Sequence, residues 1–159
     1  MGFPSKSLEW MTQSELIRII NYTHVETKRF CAVIVYLLFQ SKKDIGDAIA
    51  RWNELTLQTF DSHFSQHHAP LFPRIYCKDG FHFSAQGGWS NYCTPRETLV
   101  NKYTSVEIGF PSKEEPLFTE QEHYEGDIIG WCPTGVVNKV ITKHDGLWTG
   151  EGFYLHTST

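Results

Sequence analysis

Long apolar runs are missing from this sequence. The most apolar stretch, "CAVIVYLLF" at 31–39, has nine residues and Lys/Arg on both flanks, against the ~20 that a membrane-crossing helix needs. No membrane partner is therefore expected. Basic charge is also in short supply: 14 Lys+Arg stand against 18 Asp+Glu, for a net charge of −4. Nonspecific nucleic-acid binders need a basic face, so that class is excluded. The four cysteines (Cys31, Cys77, Cys93, Cys132) form no Cys-x-x-Cys pair. With no secretory leader read before them, they imply free thiols in a reduced, cytoplasmic setting. Walker-type loops, Gly-x-Ser-x-Gly elbows and the His-x-Glu…Pro-Cys-x-x-Cys pair of zinc deaminases are absent as well. No catalytic residue, cofactor or metal site is expected from motifs.

What is present is an ordinary globular composition, 40% hydrophobic and 20% charged, with a high aromatic content of 14%. A chain of 159 residues reads as one domain able to bury about two-thirds of its unfolded surface. Charge is unevenly spread. The stretch "KEEPLFTEQEHYEGD" at 113–127 carries six acidic residues against one Lys. It reads as solvated surface or as the rim of an interface with a basic partner.

Residues 1–10 read as an irregular leader and 12–69 as helical. Thr12/Glu15 and Thr23/Glu26 have capping-box spacing. The run 30–39 reads as helix, with a buried strand as the competing reading because it is rich in β-branched residues. Ile45, Ala48, Ile49, Trp52, Leu55, Thr59 and Phe60 recur at helical spacing and form one apolar face, in a helix ended by Pro70 and Pro73. His63 and His67 lie at i, i+4 but lack the Glu of a zinc-protease helix, so a solvated helix end is expected. From 74 onward the pattern is β: two short runs around Lys78-Asp79-Gly80, a hairpin signal, then "KYTSVEIGF" and "DIIGWCP". A helix follows from Pro133, with Val136, Val137, Val140 and Ile141 on one face and Gly146 at a C′-like position. The fold class is α+β, helices packed on a small antiparallel sheet with a C-terminal helix. The tail 147–159 is extended or adds an edge strand.

The densest chemistry lies in "FSAQGGWSNYCTPRE" at 83–97. Trp89, Tyr92 and Arg96 fall in a loop, where side chains are free to serve a ligand, and Gly87-Gly88 would let backbone approach it. Cys93 has an arginine nearby to lower its pKa, but no histidine is placed beside it by sequence, and a buried structural thiol is the expectation.

This stretch and the following "YTSVEIGFPSKEEPL" resemble a group of small phage- and prophage-encoded proteins. Their shared pattern is Ser-x-Gln, Tyr-Cys-Ser/Thr-Pro-Arg and Val-Glu-Val/Ile-Gly-Phe-Pro-Ser, with a Pro-initiated helix ending near His-x-Gly. Here these are Ser84 to Gln86, Tyr92 to Arg96, Val106 to Ser112, and Pro133 to Gly146, so the resemblance covers roughly 74–146. It implies that Arg96 reaches Glu107 across the sheet. It also implies a phage- or mobile-element-derived, non-enzymatic binding protein in a bacterial cytoplasm that antagonises a defence system. Two modes stay open: blocking a host effector protein in the manner of an anti-CRISPR, through Glu114, Glu115, Glu120 and Glu122, or sequestering a signalling nucleotide through Trp89, Tyr92, Arg96 and Glu107. The rivals are a small enzyme using Cys93 or Glu107, and a virion structural or assembly protein.

Overall fold

The computed structural model describes residues 28–59 and 71–150. Within them the chain is α+β, as its pattern predicts. Helices α1 (Lys28–Lys42) and α2 (Ile45–Thr59) precede strands β1 (Ile75–Tyr76), β2 (His82–Gln86) and β3 (Ser105–Gly109). A one-turn helix α3 (Pro116–Thr119), strands β4 (Tyr124–Glu125) and β5 (Ile128–Pro133), and helix α4 (Thr134–Lys143) complete it. The five strands form one antiparallel sheet in the order β1-β2-β3-β5-β4. The capping boxes at 12–15 and 23–26, the leader, His63, His67, His68, the close of the long helix and the tail beyond Gly150 lie outside the described residues.

Helix wins over strand in the 30–39 run. Ala32, Val33, Ile34, Val35, Leu37 and Leu38 are all buried, so α1 is covered on several sides and has no clear amphipathic period. That is why the sequence leaves two readings open there. Helix α2 is plainer: Ile45, Ala48, Ile49, Trp52 and Leu55 are buried on one face. Its N-terminus is tied to the far end of the chain. Asp44 Oδ1 accepts from the Gly46 and Asp47 N–H groups at 2.8 and 3.2 Å. Asn138 of α4 accepts from Ile45 N–H at 3.0 Å and donates to Asp44 Oδ2 at 3.3 Å. These bonds satisfy donors that a helix start leaves open.

Gly46 is required by this joint, because a Cβ there would stand 2.1 Å from the Tyr103 carbonyl oxygen. Backbone rather than a flexible side chain stands in the way. Gly46→Ala is therefore expected to cost about 1–3 kcal/mol, read as a shift of the urea midpoint, although alanine is the better helix former. A neutral or stabilising result would show that α2 and the β3 approach part easily.

In the sheet, Ile75, Phe83, Ala85, Val106, Ile108, Ile129 and Cys132 are buried against the helices. His82, Ser84, Gln86 and Glu107 alternate with them and are only half-buried. The predicted hairpin forms: Asp79 Oδ1 accepts from Phe81 N–H at 2.9 Å, and Gly80 takes a positive φ of 96°. Beyond α4, Leu147 bridges Cys77 and Trp148 N–H donates to Tyr76 O at 2.9 Å. The start of the tail thus lies along the outer side of β1. Helix α4 closes in a Schellman arrangement, with Asp145 N–H on Thr142 O at 3.1 Å and Gly146 N–H on Ile141 O at 2.8 Å. The left-handed C′ residue is Asp145, φ 69°, and Gly146 follows it at C″.

One irregularity positions the site. Val106 pairs with Cys132 and Ile108 with Ile129, so Glu107 faces both Gly130 and Trp131. This is a β-bulge in β5. It puts Trp131 at a φ of 49°, a region that a bulky residue occupies only under strain.

Candidate functional site

The connection 87–104 between β2 and β3 is a long loop without regular structure, so its shape depends on side-chain anchors. Asn53, buried in α2, donates from Nδ2 to Gly87 O at 3.0 Å, Thr98 O at 3.2 Å and the Tyr103 hydroxyl at 3.1 Å. Tyr103, fully buried, donates in turn to Glu97 O at 2.6 Å. Gly87 serves this packing, since a Cβ there would fall 2.9 Å from the Tyr103 ring. Gly88 lies over Cys93, whose Sγ accepts from Gly88 N–H at 3.3 Å and donates to Gly88 O at 3.2 Å. Both glycines lie close against the protein's own groups.

The outer half of the loop docks on the bulge. Tyr92 N–H donates to Glu107 Oε2 at 3.0 Å, and Tyr92 O accepts from Trp131 N–H at 2.9 Å. Glu107 also accepts from Asn91 Nδ2 at 3.3 Å. The expected reach of Arg96 to Glu107 is not made. Arg96 Nε donates to Trp89 O at 3.0 Å instead, and its guanidinium stands over the Tyr92 ring at 5.2 Å. The carboxylate of Glu107 is taken up by backbone and amide donors, which makes it a positioning group for Tyr92.

A continuous row of exposed rings results. Tyr92 and Trp131 stack with centroids 4.8 Å apart and planes 30° apart. His123 meets Trp131 edge-on at 4.9 Å. Trp89, Tyr92 and Trp131 remain 43%, 44% and 39% exposed. The row runs from Arg96 into the acidic segment, where Glu120, Glu122, Glu125 and Asp127 are exposed, as is Glu114 on the same stretch. Sequence reading found Trp89, Tyr92 and Arg96 but missed Trp131 and His123. Strict alternation puts Trp131 on the same face as buried Ile129. Gly130, a glycine inside a strand pattern, was the available sign of a bulge.

Glu115 departs from expectation. It is buried, 1% exposed, and so does not belong to the solvated acidic rim. It caps α3 by accepting from Leu117 N–H at 2.9 Å, with Pro116 in the first helical turn. Its oxygens also meet Lys143 Nζ at 2.8 Å and His144 Nε2 at 2.6 Å. The other ring nitrogen of His144 meets Asp79 Oδ2 at 2.5 Å, and the ring stacks on Phe81 at 4.1 Å. Burial works to raise the Glu115 pKa, but the Lys143, Leu117 and His144 hydrogen bonds outweigh it and hold it below the ordinary range. Asp79 is likewise lowered: its desolvation is outweighed by the Phe81 N–H and by His144. The two ring nitrogens of His144 are thus each met by a carboxylate, one from either side. The cluster joins the β1–β2 turn, α3 and the end of α4.

For chemistry, the thiols offer little. All four cysteines are free, and Cys77, Cys93 and Cys132 are buried. Burial, with Glu107 adding to it, raises the Cys93 pKa against the Gly88 bond and Arg96. That is the opposite of what an activated nucleophile needs. Among the described residues no group of three or more His, Cys, Asp or Glu could hold a metal ion, and no helix is long and apolar enough to cross a membrane. No family model matches the chain, and neither the curated proteins nor the solved structures give a match.

Proposed function

We propose that this chain is a non-enzymatic binding protein that antagonises a bacterial defence system by occupying a protein effector. The carrying observation is the exposed row Tyr92–Trp131–His123, with Trp89 exposed on the same loop as Tyr92. Tryptophan and tyrosine are the residue types that dominate binding energy at protein interfaces. Exposed, they bring large rigid area at small entropic cost. The placement of Trp131 adds weight. A residue held at positive φ with its ring in solvent strains the fold, and strain of this kind concentrates at functional surfaces. The resemblance to phage proteins supplies the biological setting. Nucleotide sequestration draws on Arg96, whose guanidinium is already engaged by Trp89 O and the Tyr92 ring.

The test is phage plating on strains that each carry a single defence system, with and without this chain. Expression of the chain should raise plating by orders of magnitude on at least one strain, and Tyr92→Ala with Trp131→Ala should abolish the rise while the protein stays folded. Plating that is indifferent to the chain on every strain would remove the reading.

A further inference from the structure

We infer that the face takes an arginine-bearing segment of a basic protein, with a guanidinium laid against Trp131 and neighbouring carboxylates around it. This rests on the protein-binding reading above and names the chemistry of the occupant. Two independent features of the face converge on it.

First, the face already holds one guanidinium. Arg96 stands 5.2 Å over the Tyr92 ring, so the row is shown to accept a planar cation from within the chain. Trp131 is the next ring in the row and the better cation–π partner, since indole presents the strongest face. It is 39% exposed, and among the described residues its ring meets Tyr92 and His123 and no Lys or Arg.

Second, charge around the Trp131 end is complementary to a cation. His123 touches Trp131 and is followed by β4, which pairs with β5 through Tyr124–Ile129 and Glu125–Ile128. The segment carrying these residues exposes Glu120, Glu122, Glu125 and Asp127. A guanidinium can stack on a ring and offer its edge N–H groups to a carboxylate at once; an ammonium cannot do both as well. A nucleotide or nucleic-acid phosphate would meet these carboxylates as like charge. The occupant favoured is therefore arginine on a basic protein surface, of the kind that proteins use to grip nucleic acid.

The experiment uses the purified full chain and three fluorescent probes: an oligo-arginine peptide, an oligo-lysine peptide of equal length, and single-stranded oligo-thymidine. Oligo-arginine should bind most tightly, with affinity falling as salt rises. Trp131→Gly removes the ring while giving the bulge the residue that tolerates its φ, and should weaken oligo-arginine binding by about tenfold or more. Arg96→Gln removes a like charge from the row and should raise oligo-arginine affinity, whereas a phosphate site would lose affinity. If Trp131→Gly melts early, Glu122→Lys with Glu125→Lys tests the same site from its exposed rim and should also abolish the arginine preference.

Oligo-arginine binding that is unchanged in Trp131→Gly would mean diffuse charge attraction and overturn the inference. Tighter binding of oligo-thymidine, equal binding of the two peptides, or no peptide binding would overturn it too. The two readings fail separately. Plating that depends on Trp131 without arginine binding leaves the protein-binding reading intact and removes only the arginine assignment. Plating indifferent to the chain removes the former.

Discussion

Replacing Glu115 with alanine is expected to destabilise the protein by about 3–5 kcal/mol, the usual result of breaking a buried ion pair from one side. The carboxylate is 1% exposed and meets three groups on two elements: Leu117 N–H of α3, and Lys143 Nζ and His144 Nε2 at the end of α4. Lys143 is 46% exposed and can return to water. His144 cannot, being 8% exposed and stacked on Phe81. Its Nε2 would be left facing a cavity. The cap of α3 would be lost with it, worth about 1 kcal/mol. Glu115→Gln keeps the shape and one acceptor oxygen and should cost clearly less. Urea unfolding of both variants decides the matter. A loss near zero for alanine would mean that water replaces the carboxylate and that the cluster is not sealed.

The same cluster gives the acid response its sign. Glu115 and Asp79 both have folded pKa values below their ordinary ones. Each therefore contributes stability that is fully present above its unfolded pKa, near 4.3 for Glu and 3.9 for Asp. That contribution is lost as pH falls through the lower folded values. Stability should accordingly hold to about pH 4.5 and fall below it. In Glu115→Gln the fall should be shallower.

The long elements were legible because local pattern and burial agree in them. Helix α2 buries Ile45, Ala48, Ile49, Trp52 and Leu55, the face that its 3–4 residue spacing draws. The β1–β2 turn announces itself through Asp79-Gly80. What was not legible depends on partners far along the chain. Glu115 reads as one more charge in an acidic run, and only Lys143 and His144, some 28 and 29 residues on, turn it inward. Trp131 reads as a strand residue, and only the two-against-one pairing opposite Glu107 turns it outward. The resemblance pairs Arg96 with Glu107, but a backbone N–H, that of Tyr92, reaches Glu107 and a backbone carbonyl, that of Trp89, takes Arg96. In each case a local rule was met by a tertiary contact that could satisfy the same group better. The cost is small on the sequence and large at the site, since these groups decide which rings face solvent.

Tyr103→Ala is the second substitution from which a collapse of stability is expected, about 3–5 kcal/mol as for other buried large aromatics cut to alanine. The ring is fully buried and lies against Gly87, where a Cβ would come within 2.9 Å of it. Its hydroxyl accepts from Asn53 Nδ2 and donates to Glu97 O. Removing the ring therefore opens a cavity under the loop and takes one partner from Asn53, itself only 2% exposed. Tyr103→Phe separates the two effects. It keeps the ring under Gly87 and loses only the hydroxyl bonds, for about 1–3 kcal/mol. The functional consequence follows from the same geometry. Trp89 and Tyr92 belong to the loop that Tyr103 and Asn53 hold from beneath, whereas Trp131 belongs to the sheet. In the folded fraction of Tyr103→Ala, Tyr92 should lose its register on Trp131, and oligo-arginine binding should weaken although no residue of the exposed row is altered. Tyr103→Phe should keep it. Equal binding by both variants, each measured at a temperature where it is fully folded, would mean that Glu107 and the bulge alone hold Tyr92 in place.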